Sequence, residues 1–99
     1  MKYSFHPKAK EELLESTGYY ESCSAGLGRE FANEIYSTIQ RIVQFPSSWS
    51  KFSEKTRRCL TKRFPFGIIY QVQEDKDEII IIAVMQVNRK PGYWKKRLE

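Results

Sequence analysis

Two stretches of the chain carry residues able to bind an anion, KTRRCLTKR at 55–63 and RKPGYWKKR at 89–97. Arginine presents a planar fork that matches phosphate oxygens, lysine adds point charge, and an aromatic ring such as Tyr93 or Trp94 offers a face to a base. The candidate target-binding residues are Arg57, Arg58, Lys62 and Arg63 in the first stretch. In the second they are Arg89, Lys90, Trp94, Lys95, Lys96 and Arg97. The competing account is that the cations solvate a strand edge, where lysines also discourage sheet-to-sheet pairing. Two clusters at one edge favour binding.

The usual parts of a hydrolytic site are missing. His6 is the single histidine and precedes Pro7, which suits the start of a helix better than a general base. The basic half lacks a glycine-rich phosphate loop, a nucleophile elbow and paired carboxylates. RNA cleavage would therefore rest on the 2′-hydroxyl attacking its own phosphate, with Arg stabilising the charge and a Lys or Tyr moving protons. A lysine starting near ~10.4 would need its pKa lowered by several units, which a crowd of arginines can do. Cys23, Cys59 and His6 have no metal-ligand spacing, and neither a metal nor another cofactor is expected.

Charge is unevenly placed. Residues 1–50 carry five Lys/Arg against six Asp/Glu, whereas residues 51–99 carry twelve against six, so the whole excess of the net +5 lies in the second half. A one-sided basic surface is what an anionic partner needs. The 99 residues, 40% of them hydrophobic, make one domain over 1–99 with a single core. No apolar run is long enough to span a membrane and the N-terminus, MKYSFHPKAKEE, does not read as a signal peptide, so a cytoplasmic location without membrane contact is expected.

The elements that must hold the clusters follow from periodicity. KYSFH at 2–6 alternates, with Tyr3 and Phe5 on one side, and predicts a short strand. Pro7 opens a helix over about 7–21, with Ala9, Leu13, Thr17 and Tyr20 inward and Lys10, Glu11, Glu12 and Glu15 outward. A second helix runs from Leu27 through Phe31, Ile35, Ile39, Ile42 and Val43, and ends before Pro46. Residues 46–56 read as a surface loop pinned by Trp49 and Phe52. Three strands follow, Arg57–Phe64, Gly67–Gln73 and Glu78–Val87, whose short turns require an antiparallel meander. IIIIAVM at 79–85 is apolar throughout and predicts burial on both faces, under the helix hairpin on one side and under Tyr93 and Trp94 on the other.

The expected fold is α+β, a two-helix hairpin on an antiparallel sheet of about four strands. In the meander the far ends of strands one and three share an edge, which brings Lys62 and Arg63 towards Arg89 and Lys90. Alternation leaves two arrangements open. With Leu60 buried, Arg57, Thr61 and Arg63 line the open face; with Cys59 buried, Arg58 and Lys62 do.

The order strand, helix hairpin and meander, with GLGREFANEI, IVQFPSSW, RRCLTKRFPFGIIY and IIAVMQVNRKPGYWKKR in those places, resembles the RelE/ParE toxins of type II toxin–antitoxin (plasmid stabilisation) systems over nearly the whole chain. The resemblance implies a growth-arresting toxin restrained by a cognate antitoxin. RelE-type members cut mRNA on the ribosome without a metal, and by that resemblance Arg89, Tyr93 and Lys62 would be the catalytic set. The chain departs from that pattern at Gly67, where RelE-type nucleases carry an Arg, and at Gln86, where many members carry His. Both departures favour the ParE-type reading, in which the toxin binds DNA gyrase and needs no hydrolytic centre. A non-catalytic nucleic-acid-binding module is the remaining alternative.

Overall fold

The computed structural model of the chain describes residues 1–98. Strand β1, Lys2–Phe5, leads directly into helix α1, Pro7–Cys23. His6 caps that helix, its ring Nδ1 accepting from the Lys8 N–H at 3.0 Å, and Pro7 sits where its missing N–H costs nothing. After a turn through Gly26 at φ +87°, helix α2 runs over Leu27–Gln44. The Glu21 carboxylate accepts from the Gly26 and Gly28 N–H groups at 3.0 Å each, a negative charge on the positive end of α2. The hairpin is tight at that point. A Cβ on Gly28 would stand 2.7 Å from the Thr17 carbonyl oxygen, so only glycine permits the approach.

The remaining strands are β2, Ser50–Lys51; β3, Arg57–Leu60; β4, Phe66–Gln73; and β5, Glu78–Gln86. They form one five-stranded sheet in the order β1-β5-β4-β3-β2. The meander is antiparallel as expected, but β1 lies parallel to β5, with Lys2 opposite Glu78 and Phe5 opposite Ile81. The sheet is therefore mixed and larger than the antiparallel one of about four strands that periodicity suggests. A parallel pairing requires a long crossover, and the helix hairpin with the first meander strands supplies it. The extra strand β2 comes from the expected loop, where Ser50 and Lys51 pair with Arg58 and Arg57. Two residues are too few to show an alternation.

Both faces of the sheet are covered. On the helix side, Ala9, Leu13, Phe31, Ile35, Ile39 and Ile42 meet Cys59, Phe66, Ile68, Tyr70, Ile79, Ile81 and Val84. On the other, Trp94 packs on Ile69, Ile82, Ala83 and Met85 with Phe52 at its side. The register slips where Ile69 opposes Ala83 but Tyr70 opposes Ile81, which leaves Ile82 as a bulge. The bulge resets the alternation of β5, so Ile81 faces the helices and both Ile82 and Ala83 face away. Among the described residues no helix is long and apolar enough to cross a membrane.

Candidate functional site

Cys59 is the buried partner on β3, at 1% exposure against 49% for Leu60. Burial raises its thiol pKa, against a lowering by Arg41. Arg58 and Leu60 consequently share the face turned from the helices, and the second of the two arrangements left open by alternation holds for Arg58. Arg57, on the helix side, donates to the Trp49 carbonyl at 2.8 Å and so braces the loop before β2.

Arg58 lies along the sheet rather than away from it. Its guanidinium stands 4.4 Å over the Phe52 ring. Its stem crosses Gly67, where a Cβ would come within 3.1 Å of the Arg58 Cδ. The strand position that carries no side chain thus has the Arg58 stem lying over it from the neighbouring strand.

The first basic cluster does not continue as a strand. β3 stops at Leu60, and 61–65 form a turn in which the Thr61 hydroxyl lies 2.5 Å from the Phe64 carbonyl. That turn is bound to α2. Glu34 accepts from the Lys62 and Arg63 N–H groups at 2.5 and 2.9 Å, and the Arg63 guanidinium pairs with Glu30. Two carboxylates of the chain itself therefore occupy donors that would otherwise face an anion. The Lys62 side chain is exposed.

The second cluster gathers on α1. Glu12, with its side chain 14% exposed, accepts from the Val84 N–H at 3.0 Å, from the Tyr93 hydroxyl at 2.7 Å and from both terminal nitrogens of Arg97 at 2.9 and 3.0 Å. Arg97 donates further to the Ile82 carbonyl at 3.0 Å. These contacts lie on the edge of β5 just beyond Ile81, where pairing with β1 has ended. Periodicity assigns Glu12 to the solvent side of α1, yet it sits at the border of the apolar stripe beside Leu13. The sequence signal for it was the surplus of arginine after β5, which calls for a counterion.

Arg89 is placed differently. Its side chain is 55% exposed and 3.8 Å from Glu12, and its guanidinium stands 3.5 Å over the Tyr93 ring. Arg97 lies 5.0 Å from the same ring. Burial, then the hydrogen bond to Glu12 and its charge, raise the Tyr93 pKa, and the two arginines only partly oppose this. For Arg97, burial works against the charged form, but the Glu12 hydrogen bond and charge outweigh it and raise the pKa.

Among the remaining candidates, Lys90, Lys95 and Lys96 are exposed, whereas Trp94 is 1% exposed and has no ring face open to a base. The two clusters do leave the sheet at one edge, where Leu60 opposes Gly67, Phe66 opposes Gln86 and the Val87 N–H donates to Pro65. They are nevertheless drawn to separate helices, Arg63 to α2 and Arg89 to α1. The expected juxtaposition of Lys62 and Arg63 with Arg89 and Lys90 is thus divided between two carboxylate anchors. Sequence alternation also gave no sign of Glu30 and Glu34, because hydrogen bonds and ion pairs across 28 to 33 residues leave no local pattern.

Comparison with known proteins bears on this geometry. Residues 3–91 match the family described as the ParE toxin of the type II toxin–antitoxin system parDE. No curated protein matches the chain significantly. Among solved structures, a chain of the chromosomal ParDE toxin–antitoxin system of P. aeruginosa superposes with a TM-score of 0.70 at 18% identity, covering 88% of this chain and 94% of that one. The isolated RelE toxin of E. coli superposes with a TM-score of 0.65 at 16% identity, covering 98% and 97%. With nearly nine-tenths of its length matched and the same α+β architecture, the chain belongs to the ParE toxin family of type II toxin–antitoxin systems.

Proposed function

We propose that this chain arrests growth by binding DNA gyrase, without cutting RNA, and is restrained by a cognate antitoxin. The observation that carries the reading is the Tyr93 hydroxyl. It donates to Glu12 at 2.7 Å, and burial with the neighbouring carboxylate raises its pKa further from neutrality. A proton held between a phenol and a carboxylate is poorly placed for transfer to or from a reacting oxygen. His6 is engaged as a helix cap, and Gln86 cannot titrate. What remains on the surface is a set of cations suited to gripping, with Arg89, Arg58 and the exposed Lys90, Lys95 and Lys96 as the binding group.

Cleavage of ribosome-bound mRNA is the second reading, and one observation favours it. The Arg58 stem lies across Gly67, so an arginine of the neighbouring strand covers the position where RelE-type nucleases carry theirs. Primer extension on messages from cells briefly expressing the chain tests the choice. Gyrase binding requires intact messages alongside growth arrest, with the arrest lost in Arg89→Ala. Defined cuts inside translated codons would overturn it in favour of the nuclease.

A further inference from the structure

Tyr93 stands out as a polar aromatic whose two ends are used separately. Its hydroxyl is taken by Glu12, and its ring face lies 3.5 Å from the Arg89 guanidinium. The charges around it are also unequal. Glu12 is matched by Arg97 through two hydrogen bonds, while Arg89 approaches the same carboxylate only to 3.8 Å and stays 55% exposed. One positive charge of the group is therefore left over, and it belongs to the arginine that solvent reaches.

We infer that Tyr93 is a positioning residue, a platform whose ring holds Arg89 ready to receive one anionic oxygen group. The proposal rests on the binding reading above in taking Arg89 as the group that meets the target. A guanidinium held against a ring gives up rotamer freedom before it binds an anion. The ligand class is a phosphate or carboxylate, the planar or tetrahedral oxyanions that an arginine fork recognises.

The role assigned to the ring, as opposed to the hydroxyl, separates this from proton transfer. Tyr93→Phe keeps the platform and removes only the donor to Glu12. Tyr93→Leu removes the ring. The probe is inorganic phosphate, titrated while the Arg89 side-chain N–H resonance is followed by NMR. The expected result is a ring-shifted Arg89 signal and similar phosphate binding in the wild type and Tyr93→Phe. In Tyr93→Leu the ring shift is lost and binding falls by roughly 2- to 30-fold, the weight of a cation–π contact.

Equal losses in Tyr93→Phe and Tyr93→Leu would overturn the platform, because the hydroxyl would then be the part that matters. An unmoved Arg89 resonance in Tyr93→Leu would overturn it as well. The Phe variant alone decides if the Leu variant does not fold, since a lost ring shift or lost phosphate binding there contradicts the proposal. Full toxicity of Arg89→Ala with the expected NMR behaviour would sink the target-binding reading and leave the platform standing. Loss of toxicity in Arg89→Ala with an Arg89 signal indifferent to Tyr93 would do the reverse.

Discussion

The Glu12 carboxylate and the Arg97 guanidinium join by two hydrogen bonds, at 2.9 and 3.0 Å, on the stretch of β5 that β1 leaves uncovered. Through Val84 and Ile82 the pair also satisfies a backbone N–H and a bulged carbonyl that have no strand beside them. A side-chain ion pair thus completes the edge of the sheet and ties the C-terminal turn to α1.

Removing one member of this pair leaves its partner charged and largely enclosed. Glu12→Ala is expected to cost about 3 kcal/mol, since it strands Arg97 together with the Val84 N–H. Urea unfolding checks this through a lower midpoint at unchanged slope. The double variant Glu12→Ala/Arg97→Ala should lose much less than the two single losses added together. A simple sum would mean that the two residues act independently.

Two glycines separate a rigid contact from a yielding one. A Cβ on Gly28 meets the Thr17 backbone oxygen at 2.7 Å, and neither helix can give way cheaply, so Gly28→Ala should cost about 2 kcal/mol. On Gly67 the nearest atoms belong to the flexible Arg58 stem at 3.1 and 3.2 Å, and Gly67→Ala should cost about 1 kcal/mol or less. Thermal melting compares them. Gly67→Ala should also displace Arg58 from Phe52, which the Arg58 side-chain N–H signal reports.

Alkaline pH should weaken the fold through its buried phenols. The Tyr70 hydroxyl donates to the Pro46 carbonyl at 2.5 Å, and burial pushes its pKa up to about 12, with Arg57 opposing. Its folded value lies above the unfolded one of about 10, so the native state holds the proton more tightly. The stability it contributes is complete below about pH 10 and is lost as pH rises towards 12. Tyr93 acts in the same direction. Of the six tyrosines, Tyr70 and Tyr93 should be the last to ionise in an ultraviolet titration. Tyr70→Phe should flatten the alkaline loss.

Periodicity found the helices because their stripes are long. The run from Leu27 to Val43 repeats over five turns, and Pro46 marks its end. Burial of IIIIAVM on both faces was legible for a similar reason, as no polar residue offers an outward side. The parallel pairing of β1 with β5 was not legible, because Tyr3 and Phe5 specify a buried face but not a neighbour. Nor did alternation say whether Cys59 or Leu60 is buried, for both are apolar and the strand is only four residues long.

The candidate site was visible as charge and hidden as geometry. The clusters at 55–63 and 89–97 could be counted, yet their fate depends on Glu30 and Glu34 of α2 and on Glu12 of α1. Those carboxylates divide cations with the same sequence signature into structural ones, such as Arg97 at 15% side-chain exposure, and presented ones, such as Arg89 at 55%. Trp94 was legible as a residue that folds back over the sheet. The depth of its burial, which removes it as a stacking surface, followed only from its contacts with Ile82, Met85 and Phe52.

In the proposed function the cations presented by this fold bind a target without cutting RNA. Supercoiling of relaxed plasmid by purified gyrase, with the purified chain and its Arg89→Ala variant added in turn, measures it most directly. Dose-dependent inhibition by the wild type and little by the variant is the expected result. Undisturbed supercoiling at concentrations that arrest growth would contradict it.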